Sequence, residues 1–168
     1  MDEKEILKIL LKNLRVNPHS GIFINVDSLD GSGQSTQVDL ICKELTRQGI
    51  KTLKTKEPTD KMVGGLIRGF LTGVWDPSPV VKQLLFTADR GEHLEREIIP
   101  QLKKGNAVVT DRYAFSTIAF GSLDLPVWWL VAINNLYLWP DLTFILKVDP
   151  TECLRRIDKS RLGKEALF

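Results

Sequence analysis

The sequence predicts an α/β fold, a central parallel sheet flanked by helices as a three-layer sandwich, and three observations carry that expectation. Short β-rich runs alternate with longer segments of helical period. Several of the runs are apolar at successive positions, as strands covered on both faces are. Gly and Pro punctuate the segments instead of pooling into a linker, so no boundary divides the chain after residue 20.

The elements follow in order. Residues 1–14 place Ile6, Leu7, Ile9, Leu10, Leu11 and Leu14 among Lys and Glu, an amphipathic helix that Asn17 and Pro18 break. We treat residues 1–20 as a helical extension, packed on the domain or on a partner subunit. Strands are expected at 21–26 (GIFINV), 51–55 (KTLKT), 107–110 (AVVT) and 142–148 (LTFILKV). Helical periodicity covers 35–48, 61–71, 79–104, 114–120 and 126–138, with Gly49 and Gly105 where helices should stop. In such a fold ligands gather at the carboxyl ends of the strands.

With 168 residues the chain fits one domain, residues 21–168 after the extension. Apolar residues at 43% and charged residues at 26% exclude a disordered polyelectrolyte or a fibrous repeat. A net charge of +2 gives no field for gripping a nucleic acid polymer, so any anion site must be local. The most apolar run, 125–133, contains Pro126 and is far shorter than the roughly 20 residues a bilayer span needs. Cys42 and Cys153 lie far apart and read as small buried hydrophobes in a reducing, cytoplasmic compartment.

Residues 28–36 read SLDGSGQST between the first strand and the next helix, the context of a phosphate-binding loop. Gly31 and Gly33 let the backbone turn sharply, so that successive N–H groups and the helix N-terminus face phosphate oxygens. Ser35 would offer its hydroxyl to magnesium. The pattern G-x-x-x-x-G-K-[ST] is met at its second Gly and its Ser, but Ser28 stands at its first Gly and Gln34 at its Lys. An amide supplies a neutral donor where Lys supplies charge, so catalysis needs cations from elsewhere.

Other strand ends carry the remaining candidates. Asp111 and Arg112 follow the third strand, beside the glycine loop if the two strands are neighbours, where a carboxylate holds metal and a guanidinium clamps phosphate. Glu57 follows the second strand, and Arg68 lies in the next helix. Phe86 and Arg90, four apart on a helix, can stack on a base and bond its edge; alternatively Phe86 is core and Arg90 pairs with Asp89 or Glu92. His93 reads as structural. Arg155, Arg156, Lys159, Arg161 and Lys164 form a basic cluster, either a solvated face or a lid near 155–166 that brings guanidinium groups to a transferring phosphoryl.

Six blocks of this sequence resemble the thymidylate kinases, P-loop enzymes that move the terminal phosphoryl of ATP to dTMP: LDGSGQSTQ (29–37), KEPT (56–59), LIR (66–68), LLFTADRGEH (84–93), DRYAFSTIA (111–119) and PDLTFILKV (140–148). The resemblance implies a P-loop NTPase-type fold and an enzyme of dTTP biosynthesis using ATP and Mg2+, commonly a homodimer to which Trp128, Trp129 and Trp139 could contribute. It implies ATP-phosphate contacts from Ser28, Leu29, Asp30, Gly31, Ser32, Gly33, Gln34, Ser35 and Thr36. Metal would sit at Ser35 and Asp111, and Asp30 would also meet the sugar 3′-hydroxyl.

For the substrate it implies Phe86 stacked on thymine, Arg68 and Arg90 at the base edge or phosphate, Thr117 at the base and Glu57 nearby. Arg112 would clamp the acceptor phosphate, and Phe120 stands where the family commonly has a Tyr that crowds the 2′ position. Arg112, Gln34, Arg156 and Arg161 would serve catalysis. The family's final strand and helix lie outside this sequence. Two rivals stand beside this reading: a nucleotide-binding homologue impaired in catalysis, and a related kinase with another nucleotide or nucleoside acceptor.

Overall fold

A computed structural model describes residues 2–161, with side chains through residue 157. Four parallel strands, β1 (Phe23–Ser28), β2 (Thr52–Lys56), β3 (Ala107–Asp111) and β4 (Leu142–Leu146), form one sheet in the order β2-β3-β1-β4. The registers Phe23↔Val108 and Lys56↔Asp111 bring the carboxyl ends of β1, β2 and β3 level with one another. Each predicted run became a strand, the first starting two residues later than expected because Gly21 is tied to Leu102 outside the ladder.

Alternation along β1 and β3 divides the core between the two faces. Phe23 and Val108 face one side with Leu94, Ile98, Leu102, Tyr113 and Trp139. Ile24, Val26 and Val109 face the other, against Val38 of α2 (Gln34–Arg47). Burial of apolar surface on both faces favours this three-layer arrangement, at roughly 25 cal/mol per Å². Trp139 is therefore core: its ring meets Phe115 edge-on at 5.4 Å, and its indole N–H donates to Asn135.

Helices α1 (Glu3–Lys12), α3 (Met62–Leu71) and α6 (Ala114–Gly121) match their expected positions within two residues. The expected long helix at 79–104 is instead α4 (Pro79–His93), a π-helical turn over Leu94–Ile98, and α5 (Ile99–Lys103). Pro100 is the physical reason: it has no N–H for the i−4 carbonyl, and its ring crowds that carbonyl, so the ladder shifts just before it. The segment at 126–138 is helical only over α7 (Val127–Asn134). After it the chain turns, with Tyr137 N–H bonded to Asn134, and heads toward β4.

Asp2 opens α1 with a capping box shared with Glu5. The extension lies on α7 and the segment after it: Asn135 donates to the Leu10 carbonyl at 2.8 Å, Arg15 donates to the Leu136 carbonyl, and Trp139 N–H donates to the Arg15 carbonyl. After β4 the chain continues as α8 (Pro150–Arg161), which crosses the loop behind β1. Cys153 of α8 is buried as expected, whereas Cys42 is only half-buried, on a turn of α2 that is partly open to solvent. Among the described residues no helix is long and apolar enough to cross a membrane.

Candidate active site

The loop between β1 and α2 is shaped by two left-handed residues, Gly31 at φ 77° and Gly33 at φ 87°. Gly31 also has no room for a side chain, because a Cβ there would lie 2.4 Å from the Cys153 carbonyl oxygen of α8. Glycine is thus required for conformation and for close approach together. The loop closes with Ser32 N–H bonded to the Leu29 carbonyl, and α2 starts at Gln34.

Because β3 is the neighbour of β1, its tip meets this loop. Ser35 Oγ donates to Asp111 Oδ2 and Gln34 Nε2 to Asp111 Oδ1, each at 2.6 Å. Arg112 holds a positive φ of 71°, uncommon for a residue with a Cβ. From there its guanidinium donates to the Ser28 carbonyl at 3.2 Å and to Ser116 Oγ at 3.0 Å, and pairs with the Asp30 carboxylate. Phe120, nearly half exposed, lies with its ring 5.8 Å from the same guanidinium. Arg112 thereby ties the glycine loop to the β3 tip.

Gln34 departs from expectation. It is 6% exposed, and its amide nitrogen donates to the Val26 carbonyl at 2.8 Å as well as to Asp111, so it is turned inward instead of offering donors in front of the loop.

Arg156 lies against the loop from α8, with contacts of 3.5 and 3.4 Å to the Gly31 and Ser32 carbonyls and its Nε on Glu152 at 2.7 Å. Arg155 doubles that pairing, and the two guanidiniums hold the Glu152 carboxyl down to about 2. The side chain of Arg161 and the 162–166 part of the expected lid lie outside the described residues.

The second constellation is buried. Arg90 is 1% exposed, but it pairs with neither Asp89 nor Glu92: it donates to Glu57 Oε2 at 2.7 Å, to Thr117 Oγ1 at 2.8 Å and to Asn134 Oδ1, and it stacks 4.6 Å over the Tyr113 ring. Glu57 also meets His93 Nδ1 at 3.1 Å, and His93 Nε2 meets Thr55 Oγ1 at 2.7 Å. Asp89 instead takes the Thr59 N–H and hydroxyl at 2.8 and 2.6 Å. Glu57, Arg90 and Thr117 are one network, so Glu57 orients Arg90. Two buried side-chain atoms of α4, Arg90 Nε and Gln83 Oε1, have no hydrogen-bond partner.

Phe86 is half-buried, edge-on to Phe70 at 5.8 Å. Arg68 bonds the Thr59 carbonyl at 2.5 Å and pairs with Asp60 at 3.3 Å, which fixes it on the turn between β2 and α3.

Residue patterns alone passed over three groups. Asp27, next to the loop, is 4% exposed; burial pushes its carboxyl above the usual carboxylate range, although hydrogen bonds from Asn25 and Ser116 and the nearby Arg112 charge pull it down. Asn134 reaches Arg90 from 44 residues away. Lys54, Lys56 and Lys61 line a cleft of about 460 Å³ with Ser35, Asp111 and Glu97. Lys56 was findable, since it ends β2 beside Asp111.

Comparisons agree on one family. A profile described as thymidylate kinase matches residues 26–167. A probable thymidylate kinase of Thermococcus gammatolerans is 37% identical over 154 residues, covering 86% of this chain and 74% of that protein. One from Pyrococcus horikoshii is 40% identical over 145 residues, covering 82% and 70%. The crystal structure of thymidylate kinase from Ehrlichia chaffeensis superposes with a TM-score of 0.71 at 29% identity, covering 84% of this chain and 89% of that one.

Proposed function

The chain belongs to the thymidylate kinase family, and from that premise we propose that it transfers the terminal phosphoryl group of ATP to dTMP, giving dTDP. The observation that carries this reading is Arg112, whose guanidinium joins the glycine loop to the tip of β3 through Ser28, Asp30 and Ser116. A donor phosphate along the loop and an acceptor phosphate at that guanidinium would meet end to end. The chain then needs no protein nucleophile: an acceptor phosphate oxygen attacks the γ-phosphorus of ATP, the bond to the β–γ bridging oxygen breaks and ADP leaves, and catalysis is positioning with charge stabilisation.

The loop amides from Gly31 to Thr36 and the N-terminus of α2 would bind the ATP phosphates. Arg156, whose Nη1 lies 3.5 and 3.4 Å from the Gly31 and Ser32 carbonyls, would bring a cation over them, in the role also proposed for Arg161. Ser35 Oγ and Asp111 Oδ2 are hard oxygen donors 2.6 Å apart at the mouth of the loop, a set that suits Mg2+. When bound there, Mg2+ supplies positive charge to the phosphate oxygens. Phe86 and Thr117 would contact the base, the buried Glu57–Arg90 pair would present a fixed edge to it, and Arg68, Asp30 and Phe120 would border the nucleotide.

Apolar side chains exposed on α3 and α4, among them Met62, Leu66 and Leu84, support a homodimer. The unpaired Cys42 and Cys153 support a reducing compartment such as the cytoplasm.

An acceptor screen at fixed ATP with product chromatography tests the reading. We expect dTDP from dTMP at a rate well above any product from dUMP or thymidine, and a loss on the order of 10²–10³ in turnover for Arg112→Ala. Binding of ATP and dTMP with no dTDP formed, preference for thymidine, or near-wild-type turnover of Arg112→Ala would overturn it.

A further inference from the structure

Gln34 occupies the loop position where a cationic Lys is the standard residue, and its bonding defines what it can do there. A carboxamide nitrogen has two N–H donors and no more. Both are engaged, one by the Val26 carbonyl at 2.8 Å and the other by Asp111 Oδ1 at 2.6 Å. What remains is Oε1, an acceptor, buried and without a hydrogen-bond partner. An acceptor oxygen repels phosphate, so in this conformation Gln34 has nothing to offer one. The other oxygen of Asp111 is held by Ser35, the next residue on α2. Two consecutive side chains therefore bracket one carboxylate, and neither bears charge.

We propose that Gln34 is a positioning residue that holds Asp111 Oδ1 through its amide, leaving Oδ2 and Ser35 Oγ to meet a divalent cation, and that its neutrality makes ATP binding depend more heavily on that cation than a loop Lys would. This deepens the reading of the loop as an ATP-phosphate site. Partners that orient a metal-binding carboxylate typically carry a 10- to 100-fold share of metal affinity. A Lys in the same place would add charge between Asp111 and the phosphates, and so relieve part of the demand for the cation.

The test measures Mn2+ binding to the ATP complex by electron paramagnetic resonance and ATP affinity with and without Mn2+ by calorimetry, with no acceptor present. Gln34→Met keeps the length and removes both donors. We expect it to weaken Mn2+ binding about tenfold or more, with metal-free ATP affinity within about twofold and no further loss when it is added to Asp111→Asn. Gln34→Lys should shrink the gain in ATP affinity that Mn2+ confers by at least about tenfold.

Unchanged Mn2+ affinity in Gln34→Met, additive losses in the double variant, or an unchanged metal gain in Gln34→Lys would each overturn the proposal. Should circular dichroism show Gln34→Met unfolded, Gln34→Asn, one methylene too short to reach Asp111, carries the same expectations. Failure of dTMP phosphorylation leaves these measurements untouched, since they involve ATP and metal alone. Failure of wild-type ATP binding instead would defeat the loop reading itself.

Discussion

Adjacent glycines in α3 should respond in opposite directions to the same substitution. A Cβ on Gly64 would lie 1.8 Å from the Thr59 carbonyl oxygen, 2.7 Å from its carbonyl carbon and 3.0 Å from its nitrogen, so the helix would have to retreat by more than an ångström. Thr59 cannot give way easily: its N–H and hydroxyl are bonded to buried Asp89, and its carbonyl receives Arg68. Overpacking against fixed backbone costs about 1–3 kcal/mol or more, against about 1 kcal/mol gained when Ala replaces Gly inside a helix.

At Gly65 the nearest atom is Arg68 Nη2 at 4.0 Å, and only the helix gain remains. We expect Gly64→Ala to lose about 2 kcal/mol and Gly65→Ala to gain about 0.5–1 kcal/mol. For a domain of this size those changes correspond to a fall of about 4–8 °C and a rise of about 1–4 °C in Tm. Urea and thermal unfolding followed by circular dichroism measures both. Gly64→Ala as stable as the wild type would refute the argument, as would an equal loss at Gly65, because propensity alone treats the two positions alike.

Other expectations concern buried charge and backbone strain. Glu57→Gln removes the counter-charge of Arg90 and should cost about 3 kcal/mol, read by chemical denaturation, with a raised KM for the acceptor. The raised Asp27 carboxyl means that the folded state keeps a proton the unfolded chain releases, so stability falls as pH rises from the ordinary 3.8 through the folded value. Asp27→Asn should remove that slope, its advantage over wild type being larger at pH 7 than at pH 3.5 in paired melts; parallel pH profiles would contradict this. Asn25 Oδ1, buried without a partner, can turn to accept from the new amide. At Arg112 the positive φ favours glycine over alanine by about 1 kcal/mol, so Arg112→Gly should melt above Arg112→Ala although both lack the guanidinium.

Much of the architecture was legible because it rests on periodicity. GIFINV and AVVT announce strands covered on both faces, and the glycine-rich turn between GIFINV and a helical run locates the carboxyl-end site. Side-chain direction was less legible. Gln34 could be read as a donor for phosphate, since nothing local shows that Asp111, 77 residues on, would take its amide. Arg90 invited pairing with Asp89 or Glu92, yet the parallel crossovers bring Glu57, Thr117 and Asn134 around it. Hydrogen-bond competition among groups far apart in the chain is invisible to spacing rules, and so is the contrast between Gly64 and Gly65, which depends on how close α3 comes to one carbonyl oxygen.

The docking of the amino-terminal arm bears on the buried Arg90 network. Asn135 bonds the arm at the Leu10 carbonyl while its neighbour Asn134, the last residue of α7, accepts from the buried arginine, so two successive amides hold separate parts of the fold. Peeling the arm away would leave the outer amide without its carbonyl acceptor, one residue from the side chain that accepts from the buried arginine.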